Sequence, residues 1–166
     1  MNYFELFDIP VSLSVDKASI KSQFYALSRK YHPDFYAQSS QEEQFEVLET
    51  SALLNKAFKT FNDESETLKY VLQLKGLLEE EEKYQLPKDF LIEVMDINEQ
   101  LMDAKMGSNE MQMKSIKEVI NNLKTAIYEP VKSIVEQYKE GVTTEEELLQ
   151  VKAYYFKKKY LDRMDG

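Results

Sequence analysis

The stretch DKASIKSQFYALSRKYHPDFYAQSSQEEQFEVLETSALLNKAFKTF, residues 16–61, decides the fold. Ile20, Phe24, Leu27 and Tyr31 recur at spacings of four, three and four, which lays one apolar stripe along a helix. Asp16 is a suitable N-cap for that helix. Pro33 stops it, because the residue before a proline avoids the helical region. A polar stretch to Gln41 follows. Ser40 with Glu43 then caps a further helix, on which Val47, Ser51, Leu54, Phe58 and Phe61 again step by four and three. Two stripes of matching period joined by a short loop predict an antiparallel helical hairpin. Its loop opens with Tyr31-His32-Pro33-Asp34, which contains the only histidine among the 166 residues.

The elements around the hairpin are helical as well. Asn2 with Glu5 forms a capping box for a short first helix holding Tyr3, Phe4, Leu6 and Phe7, and Pro10 ends it. Asp63 with Glu66 caps a helix carrying Leu68, Val71, Leu72 and Leu74, and Gly76 marks its C-terminus. Residues 77–86 contain the run Glu79-Glu80-Glu81-Glu82. Like charges repel and resist compact packing, so this segment reads as a linker, with a solvated helical face as the other reading. After Pro87 three long helices are expected near 88–106, 109–139 and 143–164. Thr144 with Glu147 caps the last. The middle one carries Ile116, Ile120, Leu123, Ile127 and Ile134 in register and would be roughly 46 Å long. Pro130 falls inside it and predicts a kink or break. No strand alternation, internal repeat or phosphate-cradling glycine loop is present. The expected architecture is all-α, with one region over 1–76, a linker over 77–86 and a C-terminal three-helix bundle over 87–166.

Composition narrows the chemistry. There is no cysteine, which excludes disulfides, thiolate catalysis and Cys-ligated zinc or iron–sulfur clusters. The net charge of −9 argues against nucleic acid as a partner. Residues 1–34 are neutral, and the whole excess of acid lies in residues 35–166. The segment before His32 is thus a comparatively basic island. No apolar run approaches the roughly 20 residues needed to span a bilayer, and the N-terminus lacks the features of a signal or transit peptide. No membrane association and a cytoplasmic protein are expected.

A lone histidine has few uses. As a general base it needs a nucleophile and an orienting partner, and Pro33 makes a poor platform for a dyad with Asp34. As a metal ligand it needs further donors, and no other histidine or cysteine exists. An enzyme is therefore not expected, nor a metal or other cofactor. The plain reading is a turn in which Pro33 stops the helix and Asp34 supplies a local cap. The surroundings offer another. The helix before the loop sets Lys17, Lys21, Ser28 and Arg29 away from its apolar stripe. The start Tyr3-Phe4-Glu5-Leu6-Phe7-Asp8-Ile9-Pro10, the hairpin and the His32-Pro33-Asp34 loop resemble the J-domain, by which co-chaperones act on the ATPase of DnaK-type chaperones. The resemblance implies that His32, Pro33 and Asp34 are the essential chaperone-binding trio, with Lys21, Arg29 and Lys30 as basic contacts. Simple solubility accounts for those three cations equally well.

The resemblance extends further. A J-domain followed by three helices, with no Gly/Phe-rich stretch and no Cys-x-x-Cys repeats, is similar to the HscB/Jac family of iron–sulfur co-chaperones. The matching features are Tyr3-Phe4, Tyr31-His32-Pro33-Asp34, Ser51-Ala52, Asn55-Lys56-Ala57 and Phe90-Leu91. Absence of an N-terminal cysteine-rich domain or presequence favours the bacterial cytoplasmic form. In that family the C-terminal helices bind the IscU-type iron–sulfur scaffold protein and bring it to a DnaK/HscA-type chaperone. The resemblance implies apolar scaffold contacts at Leu91, Ile92 and Met95, acidic ones at Asp96, Glu99 and Asp103, and one at Phe156. From the residues alone, Phe90, Val94, Ile97 and Leu101 form a packing stripe. Leu91, Ile92 and Met95 fall beside it, either as an exposed patch rimmed by carboxylates or as part of a wide core face. Phe156 shares a stripe with Leu149, Ala153 and Tyr160 and is open to either reading. Ile92 and Met95 are not the commonest apolar types of the family pattern, and Pro130 is not expected in its long middle helix. The alternatives are a general J-domain co-chaperone for other clients and a helical adaptor with no chaperone role.

Overall fold

The computed structural model describes residues 1–165, and every regular element among them is helical. The helices are α1 (Tyr3–Leu6), α2 (Lys17–Lys30), α3 (Gln41–Phe61), α4 (Glu64–Leu74), α5 (Lys88–Met106), α6 (Glu110–Tyr128), α7 (Lys132–Glu136) and α8 (Glu145–Asp165). Two 3-10 turns, Pro33–Tyr36 and Glu129–Val131, join α2 to α3 and α6 to α7. The chain divides into two compact units. One comprises residues 1–71 with 138–142, and the other comprises 72–137 and the residues from Thr143 onward.

In the first unit the capping side chains close the helix starts as their residue types dictate. The Asn2 and Asp16 side-chain oxygens accept from the amides of Glu5 and Ala18 at 2.8 and 3.2 Å, and Ser40 Oγ accepts from Glu43 at 3.2 Å. Helices α2 and α3 pack together, with the Phe24 and Phe58 rings stacked at 4.0 Å. Helix α1 lies on α3 through Phe4 and Phe7, whose rings stand 5.1 and 5.3 Å from that of Phe61. Ile20, Val47, Leu54, Ala57, Leu68 and Val71 complete the core. Each of the larger aliphatic and aromatic side chains among them contributes about 1.5–3 kcal/mol by leaving water, and Ala57 less. Thr67 is buried with its single hydroxyl proton shared between the carbonyls of Thr60 and Asp63, at 3.0 and 2.9 Å, so the polar group is satisfied. Gly76 ends the turn after α4 at φ +71°, a conformation that suits glycine.

The second unit is built on α5, α6 and α8, with α6 packed against both others. Phe90, Val94, Ile97, Leu101 and Ala104 of α5 meet Ile116 and Ile120 of α6 and Leu161 of α8 in one core. The expected middle helix over 109–139 is not continuous. Helix α6 stops at Tyr128, the 3-10 turn carries Pro130, and α7 ends at Glu136. Pro130 has no N–H for the carbonyl four residues back, so the ladder is interrupted there. Ile134 is buried, but on α7 rather than in register along α6. Residues 77–86, expected as a linker, are non-helical and packed. Leu78 is buried, Glu82 Oε2 pairs with Lys152 Nζ at 2.7 Å, and Tyr84 stacks on Phe156 at 4.5 Å. One tetra-acidic run thus loses part of its repulsion to a lysine of α8. The Lys152 hydrogen bond, with that of the Glu79 amide, holds the Glu82 carboxyl below its ordinary range.

Among the described residues, no helix is long and apolar enough to cross a membrane. No group of three or more His, Cys, Asp or Glu side chains among them could hold a metal ion.

Candidate functional site

The first site is the loop between α2 and α3. The helix ends at Lys30 because Pro33 cannot continue it, and Tyr31 closes it, its backbone amide donating a hydrogen bond to the Leu27 carbonyl at 3.0 Å. His32 then serves as the N-cap of the 3-10 turn, its Nδ1 accepting from the Asp34 amide at 3.2 Å. A ring nitrogen that accepts carries no hydrogen, so in this arrangement Nε2 is the donor. The 3.6 Å approach of Nδ1 to Asp34 Oδ2 is therefore not an ion pair while that bond is made. The histidine side chain is 53% exposed and the aspartate 89%.

Bonds within the loop hold it in shape. The Phe35 amide donates to the His32 carbonyl at 3.0 Å, and the Phe35 ring stands edge-on to the imidazole at 6.0 Å. The Tyr36 hydroxyl donates to the Lys30 carbonyl at 3.1 Å. From α3, Gln44 Nε2 reaches the carbonyls of Ala37 and Ser39 at 3.0 and 3.1 Å. The result is an ordered tip presenting one imidazole and one carboxylate to solvent. It offers hydrogen-bond donors and acceptors to a partner surface. Pro33 stops the helix as the plain reading has it, but the local cap comes from His32 rather than from Asp34, and the imidazole and the Asp34 carboxylate stay exposed.

The cations divide. Lys21 and Arg29 are exposed on neighbouring faces of α2, about 80° apart around the axis. Half-exposed Tyr25 lies between them. Lys30 is about 180° from Lys21 and is not part of that face. It lies over the Tyr31 ring at 5.3 Å and borders a groove with Leu27, Glu46 and Lys56.

The second site is the outer face of α5. Its core stripe is narrow, because α5 packs chiefly on α6 and is not the middle helix of the bundle. Leu91 is half-buried, while Ile92 and Met95 are 61% and 63% exposed. Asp96, Glu99 and Asp103 are exposed beside them, and Asp96 accepts from Gln100 at 3.3 Å. The wide-core alternative for Ile92 and Met95 is thereby removed. Phe156 is neither core nor free. It is half-buried on α8, sandwiched face-on by Tyr84 and edge-on by Tyr155 at 5.1 Å, and Leu149 on its stripe is exposed.

The sequence reading passed over other exposed apolar side chains: Phe35, Phe45 and Leu48 in the first unit, and Met102 and Met106 on α5. The signal was present for the four on α3 and α5, which fall outside their helix's core stripe, but not for Phe35, which lies in the 3-10 turn. Tyr84 gave no such signal, because its partner lies 72 residues away.

Known proteins carry the same plan. Residues 2–70 match the DnaJ domain family, and residues 86–165 match the family described as HSCB C-terminal oligomerisation domain. The human iron-sulfur cluster co-chaperone protein HscB is 35% identical over 137 residues, which cover 82% of this chain and 57% of that protein. A co-chaperone protein HscB homolog of Vibrio cholerae is 35% identical over 61% of this chain and 60% of its own. The co-chaperone protein HscB of Buchnera aphidicola is 34% identical over 72% of this chain and 70% of its own. The chain thus spans less than two thirds of the first two relatives. The crystal structure of human co-chaperone protein HscB superposes with a TM-score of 0.81 at 31% identity, covering 99% of this chain and 79% of that one. Chaperone HscB from Vibrio cholerae shares the fold, with a TM-score of 0.69 at 24% identity.

Proposed function

The chain belongs to the HscB co-chaperone family, and from that membership we propose that it couples an iron–sulfur scaffold protein to an ATP-driven chaperone. It binds the scaffold and stimulates the ATPase of a DnaK/HscA-type partner, assisting iron–sulfur cluster assembly and transfer. The observation that carries this reading is the ordered, solvent-facing His32-Pro33-Asp34 tip on a helical hairpin. Such a tip performs no chemistry and suits contact with another protein.

In this reading a J-domain over 1–76 meets the chaperone, segment 77–86 connects, and region 87–166 holds the scaffold. His32 supplies a donor at Nε2 and Asp34 an acceptor, while Pro33 limits how far the tip can deform on docking. Lys21 and Arg29 on one side of α2 speed encounter with an acidic surface, and Lys30 contributes from the other side. Stimulation requires only that the tip bind better to the chaperone conformation that hydrolyses ATP. Leu91, Ile92 and Met95 give the scaffold an apolar seat, Asp96, Glu99 and Asp103 its acidic border, and Phe156 a flanking aromatic contact. The cluster is cargo, and its thiolate ligands come from the scaffold, since this chain has no cysteine. Within this proposal the protein works in the cytoplasm, as expected from its sequence.

The test is ATP turnover by a purified DnaK/HscA-type chaperone. Added chain should accelerate it, and more so with IscU-type scaffold present. His32→Gln should abolish the acceleration while the far-ultraviolet circular dichroism stays unchanged. Full stimulation by His32→Gln would refute the role of the tip.

A further inference from the structure

Exposed apolar side chains on α5 do not stop at Met95. Met102 and Met106 are 56% and 84% exposed. At 100° per residue they lie in the same longitudinal strip as Ile92 and Met95, with Glu99 between them. The strip runs for about 21 Å at the helical rise. None of these four side chains serves the core, which α5 fills with Phe90, Val94, Ile97, Leu101 and Ala104. Single apolar residues on a surface are ordinary, but a row along one helix face marks a docking surface.

Resting on the scaffold-binding reading above, we propose that the docking surface continues past Met95 over the C-terminal half of α5, through Met102 to Met106. It takes a partner surface with an apolar ridge bordered by lysine or arginine side chains, on the scaffold protein itself. Charge selects that occupant. Between Ile92 and Met106 the helix holds four carboxylates, Glu93, Asp96, Glu99 and Asp103, against one cation, Lys105. A second copy meeting this face with its own would oppose carboxylate to carboxylate, so a two-fold dimer through it is disfavoured. A basic partner gains where a second copy loses. Methionine suits the added length, because its unbranched, polarisable side chain moulds to an irregular ridge.

Calorimetric titration of the full chain with purified IscU-type scaffold tests the extension. Met102→Gln with Met106→Gln keeps side-chain length, removes the apolar character and lies outside the core. This pair should weaken scaffold binding about tenfold, as loss of interface anchors does. Raised salt should weaken the wild-type complex as well. A glutamine pair that binds as tightly as wild type overturns the extension. If Leu91→Ala with Met95→Ala then still weakens binding, the shorter patch of the proposed function stands. If that pair is also neutral, or the wild-type chain binds no scaffold, both fall. Sedimentation supplies the remaining outcome: a wild-type dimer lost in the glutamine pair, with scaffold affinity unchanged, assigns the strip to a second copy and overturns the proposal.

Discussion

Neighbouring residues on α5 have opposite duties, and single substitutions separate them. Leu101 is buried in the bundle core, so Leu101→Ala should cost about 2–5 kcal/mol, the transfer of its methyl groups plus the cavity left behind. Ile92 has the same bulk but faces water, and Ile92→Ala should change stability by no more than about 0.5 kcal/mol. Urea titration followed by circular dichroism measures both. A loss at Ile92 comparable to that at Leu101 would return Ile92 to the core and remove it from the docking face. At this scale the sequence reading was most informative where local pattern suffices. His32 stood out because it is the only histidine and precedes a proline, and Ile92 and Met95 because they miss the four-and-three stripe. Its cap on Asp34 was not legible, because the Nδ1 contact depends on the turn after the proline. The Tyr84–Phe156 stack was not legible either, since a contact 72 residues apart leaves no periodic trace.

Among elements, the helix starts were readable because capping is local chemistry. The clearest case is α8. Thr144 Oγ1 accepts from the Glu147 amide at 3.1 Å, and Glu147 Oε1 accepts from the Thr144 amide at 3.0 Å. Thr144→Ala removes the first bond and leaves the second, and should lower stability by about 1 kcal/mol. Thr144→Ser should restore most of it, which a thermal melt of the three chains would resolve; equal melting temperatures would deny the cap any weight. Two elements were legible only in part, for identifiable reasons. The interruption at Pro130 was foreseen, but not the length of what followed, because Ile134 kept the apolar register on a separate α7. The acidic segment 77–86 suggested repulsion and looseness. The ion pair of Glu82 with Lys152 and the stack of Tyr84 offset that repulsion through residues far along the chain.

For the molecule as a whole, stability against pH follows from where charge is paired. Two carboxyls in the second unit titrate below their ordinary range. At Glu82 the Lys152 hydrogen bond is the main cause. At Asp162 burial opposes the charge, but hydrogen bonds from Lys124 and Lys158, at 2.9 and 3.0 Å, outweigh it. A carboxyl depressed in the folded state adds stability that is present above its unfolded value, about pH 4, and is lost as pH falls through the folded one. Lys124 runs the other way. Burial works against its charge, yet Asp162 and Asp165 together raise it, so its contribution holds below about pH 10.4 and disappears as pH rises through the folded value. The expected profile is a plateau across neutral pH with a fall at either end. Glu82→Gln with Asp162→Asn removes these two acid-labile contributions, so the double variant should lose less stability than wild type between pH 6 and pH 3, while starting lower at pH 6 by about 1 kcal/mol, scaled for pairs partly open to solvent. Urea midpoints of the full chain at the two pH values decide it, read by circular dichroism because the protein has no tryptophan. Parallel losses in the two chains would place the acid sensitivity in other carboxylates and strip these pairs of their role in holding the acidic second unit together.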